Sequence, residues 1–368
     1  MMPMTPASHA AAGHVLSPLG WCECFPADAD AGRTARVVME SKRYLRVETD
    51  GGEEGWAVPS GKLRHRAASR ADLPTVGDWV LLRAPLLAGP AQGMDHGTAV
   101  IEEVLPRRSA LLRRAAGPSE TPQVLAANVD LAFVVTSLNQ ELNPRRLERY
   151  LTVVRESGVR PVVLLSKADL SADPPRAASE LRGALPDVPV HALSALDGTG
   201  LDELAPYLAP GRTAVLLGSS GVGKSTLVNV WLGRAAAGVR EVRASDDRGR
   251  HTTTARQIHR LPGGALILDT PGLRELQLWD AADGLAETFS DLGELAARCR
   301  FADCRHGEEP GCELRRAVAA SRLDPARLAG YVKLSAEVMQ GPARPGPAGR
   351  RPRPRTGAAH PLTRPRPR

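Results

Sequence analysis

Aromatic residues are scarce in this chain: 5 Trp, 4 Tyr and 4 Phe make up 4% of its 368 residues. The core is therefore expected to be aliphatic. Cysteine is scarce as well, with five residues. A small odd number is no disulfide framework and fits a reducing cytoplasm. No uncharged apolar stretch approaches the ~20 residues needed to cross a bilayer, so no membrane partner is expected. Met1 to Gly20 has neither Lys nor Arg and no continuous apolar core, which argues against a secretory leader. Hydrophobic residues at 42% and charged residues at 24% exclude a wholly disordered or fibrous chain.

Acidic residues are missing from one region altogether. Gly341 to Arg368 holds 8 Arg and no Lys, Asp or Glu. Without that segment 40 basic residues face 41 acidic ones, so the net charge of +7 belongs to the tail and the body carries −1. Pro alternates with Arg over Arg351–Arg355. Residues 341–368 cannot bury a core and are expected to form a disordered Arg/Pro-rich tail suited to a polyanion such as RNA.

What remains divides by pattern. Residues 1–32 have no regular periodicity and read as a mobile N-terminal arm. Residues 33–112 read as all-β. Two apolar patches flank a Ser41-Lys42 turn within Thr34–Glu48, and short strands follow at Gly55–Val58, Gly77–Leu82 and Thr98–Leu105. Five strands in this length suit an OB-fold, a small barrel that often binds nucleic acid. From 124 to 284 short apolar runs alternate with helical stretches. The runs are Val129–Val135, Pro161–Leu165, Val188–Leu193, Thr213–Leu217 and Ala265–Leu268. Asn143 as N-cap and Pro144 at the first position open a helix to Glu156. That alternation predicts a multidomain α/β protein with a doubly wound parallel sheet. Residues 285–340 read as helical around a Cys/His cluster.

The sharpest motif is Gly218-Ser219-Ser220-Gly221-Val222-Gly223-Lys224-Ser225-Thr226, a P-loop after an apolar strand. Its glycines let backbone N–H groups converge on phosphate oxygens, and the helix that follows adds a positive dipole. Lys224 would reach the β- and γ-phosphates, and the Ser225 hydroxyl would ligate Mg²⁺. Asp269-Thr270-Pro271-Gly272 follows the Leu266–Leu268 strand. Asp269 can hold Mg²⁺ through water, and the Gly272 N–H can sense the γ-phosphate. Ser166-Lys167-Ala168-Asp169 matches the guanine-reading pattern Asn/Thr-Lys-x-Asp, with Ser in place of Asn. Asp169 would accept from the two donors on the guanine edge. Adenine lacks that pair and would leave a carboxylate unpaired, at a cost of ~1–3 kcal/mol. Ser194-Ala195 resembles the element whose backbone contacts the guanine carbonyl. GTP or GDP is therefore the expected ligand. In ordinary small GTPases the P-loop comes first; here Asp169 and Ser194 precede Gly218 and Asp269, so the set is circularly permuted.

Two further features complete the reading. Cys299, Cys304, His306 and Cys312 fall within 14 residues and offer three thiolates and an imidazole, a set that favours one structural Zn²⁺. Gly249-Arg250-His251-Thr252-Thr253-Thr254 lies where a switch loop belongs. One Thr would complete the Mg²⁺ shell; Thr253 is favoured, although the sequence does not separate it from Thr252 and Thr254. Leu273 stands where a Gln would orient water, and His251 is the nearest replacement.

The permuted order, Leu273, the His-Thr-Thr-Thr loop, the Cys₃His set and the N-terminal barrel together resemble the bacterial family of ribosome small-subunit-dependent GTPases, RsgA or YjeQ. The resemblance spans roughly residues 33–335. It implies an OB-fold, a permuted P-loop GTPase domain and a helical zinc-binding domain. It also implies a late assembly factor of the small ribosomal subunit and its rRNA, whose GTP hydrolysis the subunit stimulates and couples to release. His251 matches the family's proposed catalytic histidine. A GTP-dependent switch on another RNA, with little turnover, is the alternative. A monomer is expected.

Overall fold

A computed structural model of the chain describes residues 17–21, 33–41, 43–86, 98–114, 122–138, 142–185, 187–233, 256–269 and 282–340. The second strand follows the period-two rule that buries alternate side chains. In β2 (Tyr44–Glu48) Leu45 and Val47 are buried, while Tyr44, Arg46 and Glu48 are less so. β2 pairs antiparallel with β1 (Thr34–Ser41) across the expected turn, and with β3 (Glu54–Pro59). A short helix α1 (Gly61–Arg66) follows β3, and β4 (Trp79–Leu82) and β5 (Ala99–Val104) complete the set. The order β1-β2-β3-β5-β4 closes through a β1–β4 pairing into a five-stranded barrel. Its small aliphatic core includes Val37, Val47, Val80, Leu82 and Ile101.

A hairpin that the sequence reading did not anticipate comes next. β6 (Ala110–Arg114) and β7 (Pro122–Ala127) pair antiparallel across the interval left between residues 112 and 124. It packs close to the barrel: a Cβ on Gly77 would lie 2.1 Å from the Ala127 carbonyl oxygen. The parallel sheet is built from β8 (Leu131–Ser137), β9 (Arg160–Ser166), β10 (Val190–Ala192), β11 (Thr213–Leu217) and β13 (Leu266–Asp269), in the order β10-β9-β8-β11-β13. Each expected apolar run supplies one strand. The helices α2 (Pro144–Glu156), α3 (Pro174–Ala184) and α4 (Lys224–Trp231) lie between them in sequence. Asn143 caps α2, its side chain accepting from the Arg146 N–H.

β12 (Arg256–Arg260) was also missed, because a single buried apolar residue, Ile258, gives no strand period. It runs antiparallel to β13 and pairs on its other side with β1 of the barrel, Met39 opposite Gln257. Barrel and nucleotide sheet are therefore one continuous eleven-stranded sheet. Arg36, fully buried, fastens the same junction. It donates to the carbonyls of Leu19, Gly77 and Asn128 and to the Thr213 hydroxyl. Burial draws its pKa down to about 10, against the opposing pull of Asp130 and Asp78. Within the 1–32 segment expected to be a mobile arm, residues 17–21 are thus packed: Leu19 is buried and Trp21 meets Trp79 edge-on at 4.8 Å. Residues 1–16, 22–32 and the 341–368 tail lie outside the described residues.

Four helices close the described residues: α5 (Ala282–Thr288), α6 (Ser290–Ala296), α7 (Glu313–Ala319) and α8 (Pro325–Gln340). They share a core of Phe289, Leu292, Leu314 and Ala317 and dock on α2. A Cβ on Gly284 would lie 2.1 Å from the Thr152 carbonyl oxygen, so only glycine permits this approach. Arg327 bridges Glu148 of α2 (3.2 Å) and Asp291 of α6 (2.9 Å), and Arg149 pairs with Glu337. Among the described residues no helix is long and apolar enough to cross a membrane.

Candidate nucleotide site and Cys₃His cluster

The motifs sit on loops that leave the carboxyl ends of parallel strands, where open α/β sheets bind ligands. Gly218 closes β11 with φ +143°, and a Cβ there would lie 2.2 Å from the Val135 carbonyl oxygen on β8. Gly223, φ +98°, is the N-cap residue of α4. The Lys224 ammonium donates to the Gly218 carbonyl (2.8 Å) and to that of Ser219, so the lysine spans its own loop. Ser220, Gly221 and Ser225 are exposed, Thr226 is half-buried, and Val222 points into the core. A loop of this form can cradle an anion, with the N-terminus of an eight-residue helix behind it.

The loop expected to read guanine is tied directly to the P-loop. Ser166, buried at the end of β9, donates from Oγ to the Val222 carbonyl at 2.6 Å. Lys167 takes a left-handed backbone, φ +58°, that turns the chain into a 3₁₀ turn at Ala168–Leu170. Asp169 is exposed on that turn, free to face a ligand. The Ala168 N–H donates to the Leu193 carbonyl, which places the next loop alongside. There Ser194 is fully buried, and its Oγ accepts from the Leu196 N–H. Ala195 is half-buried beside it. The structure thus brings Ser166, Asp169, Ser194 and the P-loop to one end of the sheet.

Two residues of this site have no signal in the sequence. Arg146 of α2 donates to the Ser219 hydroxyl at 2.5 Å across 73 positions. Tyr150, one turn further along, hydrogen-bonds the same hydroxyl, and its burial raises the phenol pKa. Asp269 ends β13 with its backbone opposite Gln257. His251, Thr252, Thr253, Thr254, Gly272 and Leu273 lie outside the described residues.

The four residues of the expected cluster converge. One ligand atom from each of Cys299, Cys304, His306 and Cys312 lies within 4.8 Å of all the others. The Cys299 and Cys312 sulfurs are 4.0 Å apart, and each is 3.7 Å from His306 Nδ1. A zinc tetrahedron with ~2.3 Å bonds to sulfur sets its sulfurs about 3.8 Å apart, so these residues fit a Zn²⁺ ion. His306 adopts φ +60° to reach inward. The Glu313 N–H donates to the Cys299 sulfur at 3.3 Å, the outer contact that orients a thiolate ligand. Burial pushes the Cys304 thiol up to about 11 and His306 below its ordinary value, so a cation is what would draw out the Cys304 thiolate.

Comparison with known proteins settles the family. A sequence model described as RsgA GTPase matches residues 104–279. A protein of Opitutus terrae named small ribosomal subunit biogenesis GTPase RsgA is 46% identical over 331 residues, 88% of this chain and 89% of its own length. The chain belongs to the RsgA GTPase family. A relative of the same name from Methanosarcina acetivorans is 48% identical over 72% of this chain and 70% of its own. Among solved structures, RsgA-family similarity extends to YjeQ from Thermotoga maritima, 27% identical over 84% of this chain and 99% of that one, with a TM-score of 0.60. YloQ, a circularly permuted GTPase, shares the fold at 22% identity and a TM-score of 0.57. The expected fold class holds: barrel, permuted GTPase sheet and C-terminal helices around a Cys₃His set.

Proposed function

We propose that this chain hydrolyses GTP to GDP and phosphate as a late assembly factor of the small ribosomal subunit, with hydrolysis stimulated by the subunit and coupled to release. The observation that carries the reading is the Ser166–Val222 bond, which joins a guanine-reading loop to a phosphate cradle in permuted order. The names of the curated relatives supply the subunit.

In this reading Asp169 accepts from the guanine edge, the Lys167 stem lies along the base, and Ala168, Ser194 and Ala195 frame the base from the loop backbone. Residues Gly218 to Thr226 hold the phosphates, with Lys224 at the β- and γ-phosphates. Gly272 senses the γ-phosphate. Ser225, Thr253 and Asp269 would hold Mg²⁺, which neutralises phosphate charge. His251 orients the attacking water in place of the Gln that Leu273 lacks. Positioning is most of what phosphoryl transfer needs from a protein, so a subunit that completes the alignment of His251 with the water accelerates a reaction that is slow without it. The Cys₃His set would hold one Zn²⁺ per chain and brace the C-terminal helices. The protein acts as a cytoplasmic monomer on the small subunit and its rRNA.

The test is the rate of GTP hydrolysis with and without purified small subunits. Stimulation by the subunit, and its loss by ~10²-fold in His251→Ala at unchanged GTP affinity, is the expected result. A wild-type rate indifferent to subunits would overturn the assembly role.

A further inference from the structure

The arginines of α2 differ in what they meet. Arg149 pairs with Glu337 of α8, and Arg155 donates to the Glu287 carbonyl of α5. Arg146 instead meets the P-loop. Its guanidinium donates to the Ser219 hydroxyl at 2.5 Å, and among the described residues no carboxylate pairs with it. Tyr150, buried and four residues on, hydrogen-bonds the same hydroxyl. Residues four apart share a helix face, so the two form one contact surface against the loop. The helix that presents them is held by other partners. Glu156 accepts from the Gly284 N–H at 3.0 Å, and Arg327 donates to Glu148 at 3.2 Å. The backbone of Arg146 is thus placed by contacts that do not involve the P-loop.

Helix stability does not account for a cation here. Arg145 and Arg146 occupy the first turn of α2, where positive charge opposes the helix dipole, and that turn holds no acid. The P-loop alone does not account for it either. The Lys224 ammonium donates to the Ser219 carbonyl while Arg146 donates to the Ser219 hydroxyl, so two cations converge on one residue. Like charges at such range repel, and an anion beside both turns the repulsion into attraction. The residue on which they converge belongs to the loop that would hold phosphates.

We infer that Arg146 is a positioning residue of the nucleotide site: it holds the P-loop through Ser219 and adds a second positive charge that a triphosphate engages more strongly than a diphosphate. The inference rests on the proposed GTP reaction and adds a residue to it. The hydrogen bond to Ser219 fixes the loop for either nucleotide. The charge acts across several ångströms without touching the substrate, so it favours the nucleotide with more negative charge.

The experiment uses the full-length chain and compares wild type with Arg146→Gln and Arg146→Lys. Affinities for GDP and for a non-hydrolysable GTP analogue are measured by calorimetry with Mg²⁺, from low to high salt. Arg146→Gln should weaken the GTP analogue on the order of 10-fold and GDP only about 3-fold, and the gap should narrow as salt screens the charge. Arg146→Lys should recover most of the preference for the triphosphate. In hydrolysis with purified subunits, Arg146→Gln should raise KM and leave kcat within about 3-fold, the pattern of lost ground-state binding. The melting temperature without nucleotide should match wild type, because Arg146 is exposed. Equal losses for both nucleotides with a lowered melting temperature overturn the inference and leave a structural clasp. Unchanged affinities, or a lysine no better than glutamine, overturn it as well. A fall in kcat at constant KM overturns it in favour of a group acting only in the transition state. Each of those results leaves the GTPase reading standing. A wild type that binds neither nucleotide overturns that reading and this inference together.

Discussion

Two glycines of the P-loop make a controlled comparison. A Cβ on Gly218 would stand 2.2 Å from the Val135 carbonyl oxygen, inside the β8–β11 pairing, at φ +143°. The backbone conformation costs a side chain ~1–3 kcal/mol, and forcing two strands apart costs a further ~1–3 kcal/mol. A Cβ on Gly221, at φ +83°, would meet nothing within 4 Å. There only the left-handed conformation is charged, ~1–2 kcal/mol. Gly218→Ala should therefore lose ~2–6 kcal/mol of a total that is ~5–15 kcal/mol for a typical protein. Gly221→Ala should lose far less. The assay is urea unfolding followed by circular dichroism without nucleotide, read as the shift in midpoint. If Gly218 mattered only as a phosphate contact, nucleotide-free stability would not register the change. Equal midpoints for the two variants, or a Gly218→Ala midpoint at the wild-type value, would refute the packing argument.

Ser166→Ala leaves the buried Val222 carbonyl without its 2.6 Å partner, so stability should fall by ~1–3 kcal/mol and GDP should bind more weakly. Unchanged values in both measurements would mean the tie between the two loops is dispensable. Metal analysis of protein purified without chelator should give one zinc per chain. In Cys304→Ala the metal should be lost and hydrogen exchange should rise first over residues 282–340, with GDP binding retained; a zinc-free wild type would end that reading. Burial raises Glu148 from about 4.5 to about 7 despite Arg327 beside it. The folded protein then holds a proton that the unfolded chain has released, so stability falls as pH rises from 4.5 to 7, by at most about 3 kcal/mol. Glu148→Gln should flatten that window in pH-dependent melting, and an unaltered profile would show that Glu148 titrates normally.

How much of this was legible in the sequence depended on the range of the interaction involved. The five barrel strands, the Asn143 cap and the runs that became the parallel sheet are local patterns of period and capping, and each appears where its residues predicted it. The P-loop and the Cys₃His set were legible for a related reason, since their chemistry is packed into 9 and 14 consecutive residues. β12 was not, because it is a strand only by virtue of neighbours on both sides, β13 and β1. The β6–β7 hairpin escaped because it falls between two apparent domains and belongs to neither pattern.

The sequence by itself determined the chemistry: which residues could cradle phosphate, read guanine or ligate a metal, since those demands fix residue type and short spacing. Only the tertiary structure decided how the parts are joined. Arg146 reaching Ser219, Ser166 reaching the Val222 carbonyl, Arg36 fastening barrel to sheet, and Arg327 fastening the last helices to α2 all link residues 56 to 179 positions apart. No periodicity spans such distances, because the partners become neighbours only after the strands between them have paired.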